Sequence, residues 1–150
     1  MSDVATDMAL DLIAKHEGYR DTVYLCPAGV PTVGYGTTHY PNGTAVRMGD
    51  PTCTEPQARR WLENDAAGAS KAVDRLVSVP LTAGQHAALV SFVYNFSPKM
   101  LSASTLLLKL NRGDYDGAAG EFGRWVRGGG KVLPGLVRRR AEETALFVRR

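Results

Sequence analysis

The chain has 150 residues, of which 44% are hydrophobic and 22% charged, a composition typical of one soluble globular domain with a sizeable core. No apolar run approaches the roughly 18 residues of a membrane span, and the acidic N-terminal segment lacks the basic start of a secretory signal. Two cysteines and three histidines show no metal-ligand spacing, so neither a metal nor another cofactor is expected.

The charge is divided unevenly between the two halves of the chain. Residues 1–75 contain seven basic and ten acidic side chains, a net charge of −3; residues 76–150 contain eleven and five, a net charge of +6. A basic half would attract an acidic polymer such as nucleic acid or bacterial cell wall. A solvated helix face explains it equally well, and the basic residues lack the aromatic interleaving of a nucleic-acid surface.

The first predicted element is a helix over residues 3–17, where apolar residues recur at the three- and four-residue spacing of one helical face. Gly18 ends it. Residues 22–53 predict a small β-region, with strands in TVYL and PTVGYGTTHY and turns rich in Pro and Gly. Thr54 begins a helix to about Leu76, because Thr54 to Gln57 match a capping box.

From Leu81 onward the pattern is helical, with a last helix over residues 135–148 and a flexible break at Gly128 to Gly130. Trp61 and Trp125 are expected to anchor the core. The predicted architecture is a single α+β domain, mainly α. It has a small α/β lobe over about residues 1–55, a linking helix over about 54–76 and a helical lobe over about 77–150.

Glu17 stands out because it lies in the last turn of a helix, where the helix dipole disfavours a carboxylate. A glutamate kept protonated by its surroundings is a general acid, and glycosidic bond hydrolysis needs one at the leaving oxygen. It also needs a base or nucleophile across the sugar. Cys26 is the residue in the following turn, Asp21 is the nearest carboxylate, and Thr32 offers a hydroxyl to orient a water molecule. An ordinary surface glutamate is the alternative for Glu17.

These residues belong to a longer pattern. Glu17 is followed by eight residues, Cys26, five residues, Thr32 and then VGYG. The runs LTAGQHAALVSFVYN, STLLLKLNRGDYDGAAGEFGRWV and GLVRRRAEE follow in that order. From about residue 7 to 148 the chain resembles the phage-type lysozymes of glycoside hydrolase family 24, in particular the lambdoid-phage endolysins.

The resemblance implies a muramidase that cuts the β-1,4 bond between N-acetylmuramic acid and N-acetylglucosamine in peptidoglycan and so lyses the host cell. It implies a lysozyme-like fold with the glycan cleft between the two lobes. Glu17 would be the general acid, Cys26 would stand at the position usually held by Asp, and Thr32 would position the attacking water.

Two positions depart from the family pattern. A thiol becomes a base or nucleophile only as thiolate, so Cys26 needs a lowered pKa to act; otherwise it is a spectator, with Asp21 or water alone serving. Thr37 follows Gly36 where many relatives have His, and the nearest histidine is His39, so the role of that His in holding the acid is open. A disulfide between Cys26 and Cys53 is possible but not implied.

Four further residues are candidates for glycan binding. Tyr35 would stack on a sugar ring or belong to the core. By the resemblance, Gln85, Tyr94 and Asn95 lie on the helix that lines the helical side of the cleft, and packing or capping is their alternative role. The run Arg138–Arg140 would hold the enzyme on acidic wall groups or form a solvated helix face.

The partner implied by the resemblance is the peptidoglycan glycan strand, with no nucleic acid and no membrane anchor, and a monomer is expected. The enzyme would stay in the host cytoplasm until lysis, reach the wall through a separately made holin and act in the periplasm. The alternatives are a lytic transglycosylase, which uses one Glu and leaves 1,6-anhydro ends, and a non-catalytic peptidoglycan-binding protein.

Overall fold

The computed structural model describes residues 3–149. In chain order the elements are α1 (Asp3–Glu17), β1 (Arg20–Leu25), β2 (Pro31–Gly34), α2 (Glu55–Leu76), α3 (Ala83–Phe96), α4 (Pro98–Ser102), α5 (Thr105–Asn111), α6 (Tyr115–Glu121), a 3-10 turn (Phe122–Arg124), β3 (Arg127–Gly128), β4 (Lys131–Val132) and α7 (Pro134–Val148). The chain forms two compact units. The small unit is Ile13–Gly68, and the helical unit is the chain before and after it.

The small unit is built on the antiparallel β1–β2 hairpin. Tyr24 pairs with Thr32 and Leu25 with Pro31, and the register is irregular between Arg20 and Tyr24. One apolar cluster is its core, made of Val23, Val33, Val46, Cys53 and Ala58, with Tyr35, Tyr40 and Trp61 packed against it. Trp61 is therefore a core anchor, as predicted.

The second predicted strand is shorter than the sequence suggests. β2 ends at Gly34, and the rest of the predicted strand takes part in isolated bridges, between Val33 and Thr37 and between His39 and Ala45. The chain reverses direction at Gly34 to Gly36, so Thr37 pairs with Val33 of β2. Thr37 therefore does not continue β2 along β1.

The helical unit is organised around α3, in which every residue from His86 to Val93 is buried, and α7 packs along it. Phe92 lies against Phe122 and Trp125 with ring centroids 5.9 and 5.2 Å apart. Burying one such aromatic ring contributes about 1.5–3 kcal/mol. Trp125 belongs to this aromatic cluster and confirms the core prediction.

The basic run at the start of α7 is not the surface patch that the sequence suggests. Only Arg138 is exposed; Arg139 and Arg140 are 4% and 0% exposed. The Arg140 Nε lies 2.6 Å from Glu143 Oε1, and the Arg139 guanidinium donates to the Ser91 carbonyl at 3.1 Å. Two of the three arginine side chains are therefore buried in the helical unit and bonded to groups inside it.

The glycine run before α7 also differs from the prediction of a flexible break. It is the turn of a second antiparallel hairpin, in which Arg127 pairs with Val132 and Gly128 with Lys131. Each strand has only two residues, too few for an alternating pattern to appear in the sequence. Over residues 3–149, none of the helices has the length and apolar character needed to cross a membrane.

Candidate active site

Glu17 is the last residue of α1. The helix closes with a bond from the Gly18 N–H to the Ala14 carbonyl at 3.0 Å, and Gly18 adopts a φ of +74°, which turns the chain directly into β1. The Glu17 side chain is half-buried. Its carboxylate lies beside the backbone of Gly36, where a methyl group built on Gly36 would be 3.0 Å from Glu17 Oε2.

Cys26 begins the tight turn that joins β1 to β2. Its N–H donates to the Val30 carbonyl at 3.1 Å, and its carbonyl accepts from the Gly29 N–H at 2.8 Å. Both backbone groups of Cys26 are therefore hydrogen-bonded within the turn. The thiol is reduced and half-buried, and so is open to solvent on one side, whereas Cys53 is buried in the core of the same unit and is also a free thiol.

The turn favours the thiolate form of Cys26. Backbone N–H groups of Val30 and then Ala28, hydrogen-bonding to the sulfur, lower the pKa of the Cys26 thiol, and their effect exceeds the opposing effect of desolvation. The hydroxyl of Thr32 lowers the pKa further. Converging N–H groups stabilise an anion in this way. The turn thus shifts the pKa of Cys26 in the direction that a catalytic thiol requires.

Thr32 lies in β2 and is only 3% exposed. Its hydroxyl donates to the Val30 carbonyl at 2.8 Å, the same carbonyl that accepts from the Cys26 N–H. The hydroxyl has one proton, which it donates either to this carbonyl or to the Cys26 sulfur, and two lone pairs that can accept from water. Thr32 and Cys26 are therefore linked through the Val30 carbonyl, to which both donate.

The VGYGT segment after Thr32 is a closed loop. The Val33 N–H bonds the Thr37 carbonyl at 3.0 Å, and the Thr37 N–H bonds the Val33 carbonyl at 2.9 Å. The hydroxyl of Thr37, which is fully buried, donates to Asp65 Oδ2 at 3.1 Å. Burial raises the pKa of the Asp65 carboxyl, an effect that this hydrogen bond opposes.

Thr37 accounts for one departure from the family pattern. It replaces the expected His as a neutral hydroxyl that ties the loop to α2 through Asp65. His39 is exposed, and its Nδ1 lies 3.2 Å from the Thr38 hydroxyl.

Tyr35 and Tyr19 form an aromatic pair in the small unit, with ring centroids 5.5 Å apart. Tyr35 donates to Glu55 Oε1 at 2.9 Å, and Tyr19 donates to the Cys53 carbonyl at 3.1 Å. Partial burial and then Glu55 raise the pKa of the Tyr35 phenol, which keeps it a donor. Tyr35 thus packs on the core while remaining partly accessible. Tyr19, 40% exposed, is a neighbour that sequence reasoning missed, although it directly follows Glu17 and Gly18.

The remaining candidates lie in the helical unit, at opposite ends of α3. Gln85 completes the N-terminal capping box: its Oε1 accepts from the Thr82 N–H at 2.9 Å and its N–H bonds the Thr82 hydroxyl at 3.1 Å. Tyr94 and Asn95 are in the last turn. The buried amide oxygen of Asn95 has no hydrogen-bond partner in the part of the chain that the structure describes. Gln85 is therefore spatially separate from the other two.

A metal site has no support within residues 3–149, where no three His, Cys, Asp or Glu side chains gather as potential ligands. What the small unit does offer is the Glu17 carboxyl group at the end of α1 and the Cys26 thiol, with its lowered pKa, at the turn of the β1–β2 hairpin. Glycosidic bond cleavage uses an acid at the leaving oxygen and a base or nucleophile at the anomeric carbon, usually two carboxyl groups. A thiolate can take the second of these roles in place of a carboxylate.

The chain is similar to known proteins over most of its length. Residues 14–143 match the phage lysozyme family. The endolysin of Acyrthosiphon pisum secondary endosymbiont phage 1 is 42% identical over 146 residues, which cover 95% of this chain and 96% of that protein. The SAR-endolysin of Escherichia phage Mu is 41% identical over 129 residues, covering 86% and 69%.

A solved structure is similar over the same range. The endolysin from Escherichia coli O157:H7 phage FAHEc1 superposes with a TM-score of 0.87 at 33% identity, covering 94% of this chain and 90% of that one. The fold is therefore lysozyme-like, with mainly helical structure and small antiparallel sheets. The chain belongs to the phage lysozyme family and is a glycoside hydrolase, an endolysin that acts on peptidoglycan.

Proposed function

We propose that Glu17 and Cys26 carry out the hydrolysis of the β-1,4 bond between N-acetylmuramic acid and N-acetylglucosamine. Glu17 donates its proton to the bridging oxygen as the bond from that oxygen to the anomeric carbon breaks. As that bond breaks, the Cys26 thiolate acts in one of two ways: it removes a proton from the attacking water, or it bonds the anomeric carbon. In the second case water displaces the sulfur in a further step, and the Glu17 carboxylate takes the proton of that water and becomes the acid again.

The observation that carries this proposal is the hydrogen-bonded turn that holds Cys26 beside Thr32, in which the pKa of the thiol is lowered. An unperturbed thiol is mostly protonated at pH 7 and would be a poor replacement for an aspartate. The N–H groups of Val30 and Ala28 and the Thr32 hydroxyl supply the stabilisation that an anion needs there. Thr32 has a second part in the proposal, because its accepting lone pairs can orient the water that attacks the sugar.

Glycan binding is proposed for Tyr35, Tyr94 and Asn95, with Gln85 as the weakest candidate because its side chain already caps α3. Tyr35 offers a partly accessible aromatic face in the small unit. The route to the wall is proposed from the family resemblance: a monomer held in the host cytoplasm until a separate holin permeabilises the membrane, after which it acts in the periplasm.

The test of the reaction type is the analysis of products released from purified peptidoglycan. Hydrolysis predicts new reducing N-acetylmuramic acid ends, detectable as sugar alcohols after borohydride reduction and mass spectrometry. A lytic transglycosylase forms its product without water and leaves 1,6-anhydro ends that borohydride does not reduce. Products that consist mainly of anhydro ends would contradict the hydrolytic proposal and favour the transglycosylase.

A further inference from the structure

We propose that Gly36 is a positioning residue for Glu17: the space left by its missing side chain sets where the acid's carboxylate lies. A methyl group on Gly36 would be 3.0, 3.6 and 3.8 Å from Glu17 Oε2, Cδ and Cγ. The whole end of the Glu17 side chain therefore rests against this one backbone position. The inference rests on the proposed role of Glu17 as the general acid.

The backbone that carries Gly36 has little freedom to retreat. Two backbone hydrogen bonds close the loop between Val33 and Thr37. The buried Thr37 hydroxyl ties the next residue to Asp65 on α2 at 3.1 Å. On the other side, the Tyr35 hydroxyl is bonded to Glu55 at 2.9 Å. Gly36 thus sits between two residues that are both anchored to α2.

The two sides of this contact differ in how easily they can move, and this difference decides which side would shift if Gly36 gained a side chain. The Glu17 carboxylate is the end of a flexible side chain, whereas Gly36 belongs to a pinned loop. A methyl group at Gly36 therefore displaces the carboxylate by a few tenths of an ångström and leaves the loop in place. Proton donation requires heavy-atom distances of about 2.6–3.2 Å, and a misplacement of about 1 Å can cost about a hundredfold in rate.

The test compares two glycines with the same backbone conformation. Gly36 has a φ of +83° and touches Glu17; Gly43 has a φ of +88° and nothing within 4 Å of its Cβ position. Gly36→Ala and Gly43→Ala therefore share the cost of a left-handed L-residue, and only the first presses on Glu17. Gly36→Asn and Gly43→Asn form a second pair, because Asn accepts this conformation more readily and keeps the folded state accessible.

Rates of reducing-end release from purified peptidoglycan, measured at several substrate concentrations, separate kcat from KM. We expect the Gly36 variants to lose roughly tenfold in kcat with KM within about twofold, because the acid is misplaced while the substrate still binds. The Gly43 variants should keep wild-type kcat and KM. Both members of each pair should show similar decreases in melting temperature, since backbone strain is shared.

Two results would overturn the inference while leaving the proposed function intact. One is an inactive Glu17→Gln variant together with wild-type kcat in the Gly36 variants. The other is an equal loss of kcat at Gly36 and Gly43, which would assign the loss to backbone strain. Wild-type turnover by Glu17→Gln would instead remove the proposed general acid, and the positioning role with it.

Discussion

At the residue scale, Cys26 is the side chain whose chemistry depends most on its surroundings. Its pKa is lowered by N–H groups that belong to the backbone of its own turn, and by the Thr32 hydroxyl. The hydrogen bonds that shape the turn, from Cys26 to Val30 and from Gly29 to Cys26, also hold those groups in place. The hydrogen bonds that form the turn thus also determine the direction in which the pKa of the thiol is shifted.

This predicts a pH dependence with a definite sign. Because the thiolate is the working form, alkylation by iodoacetamide and hydrolysis should both decline as the pH falls through the pKa of Cys26. The midpoint for alkylation of native enzyme, followed by peptide mass spectrometry to separate Cys26 from Cys53, should lie below the value of about 8.5 for a free thiol. Thr32→Val should raise that midpoint by removing one donor.

Complete alkylation of Cys26 should also lower the rate of wall hydrolysis by a hundredfold or more, since losing the thiolate removes a base or nucleophile. A midpoint at or above the free-thiol value would argue against the stabilised thiolate. Undiminished hydrolysis after complete modification would exclude Cys26 from the mechanism.

The residues of the site differ in how far the sequence alone predicts them. The place of Glu17 at the end of α1 was predictable because Gly18 marks the helix end. The contact of Gly36 with Glu17 was not, because it joins residues 19 positions apart. The hydrogen bond from Thr37 to Asp65 on α2 was equally unpredictable, since nothing near Thr37 in the sequence points to Asp65.

At the scale of elements, the packing of α7 on α3 includes a fully buried ion pair. Arg140 and Glu143 are both completely inaccessible. Glu143 also accepts the Ser91 hydroxyl at 2.6 Å, and the Arg140 guanidinium lies 4.7 Å from the centroid of the Phe96 ring. A buried pair of this kind stabilises little relative to apolar residues, but either partner alone is costly because it leaves an uncompensated charge.

We therefore expect Glu143→Ala to lower the free energy of unfolding by about 3–5 kcal/mol, measured by urea denaturation. Arg138→Ala, on the exposed side of the same helix, should change it by no more than about 0.5 kcal/mol. Replacing both partners, with Arg140→Met and Glu143→Leu, should recover only part of the loss, because buried Arg139 also loses the Glu143 carboxylate, which lies 3.5 Å from its Nε. A cost below about 1 kcal/mol for Glu143→Ala would contradict the buried pair.

The elements that the sequence predicted best carry their own boundary signals. The capping box from Thr54 to Gln57 and the glycine after α1 mark the starts and ends of whole helices. The three consecutive arginines of α7 carry no such signal, because the same spacing fits an exposed face or a buried one. Their burial depends on the contact with α3, where Ser91 bonds Arg139 and also Glu143, which lies one turn further along α7.

At the scale of the whole molecule, the order of several motifs indicates the family more strongly than any one of them. The spacing of Glu17, Cys26 and Thr32 together with the later helical runs led to the phage lysozymes, and the match over residues 14–143 confirms this. Bulk charge was a weaker guide. The net charge of +6 over residues 76–150 includes Arg139 and Arg140, which are buried.

The central claim is that one carboxylic acid, Glu17, donates the proton that breaks the glycan chain. Its most direct test is the rate of reducing-end release from purified peptidoglycan by wild type, Glu17→Gln and Glu63→Gln, an exposed carboxylate of the same unit. We predict that Glu17→Gln is slower by a factor of about 10²–10⁴, with wild-type rates for Glu63→Gln and unchanged melting temperatures. A folded Glu17→Gln enzyme that releases reducing ends at the wild-type rate would contradict the account.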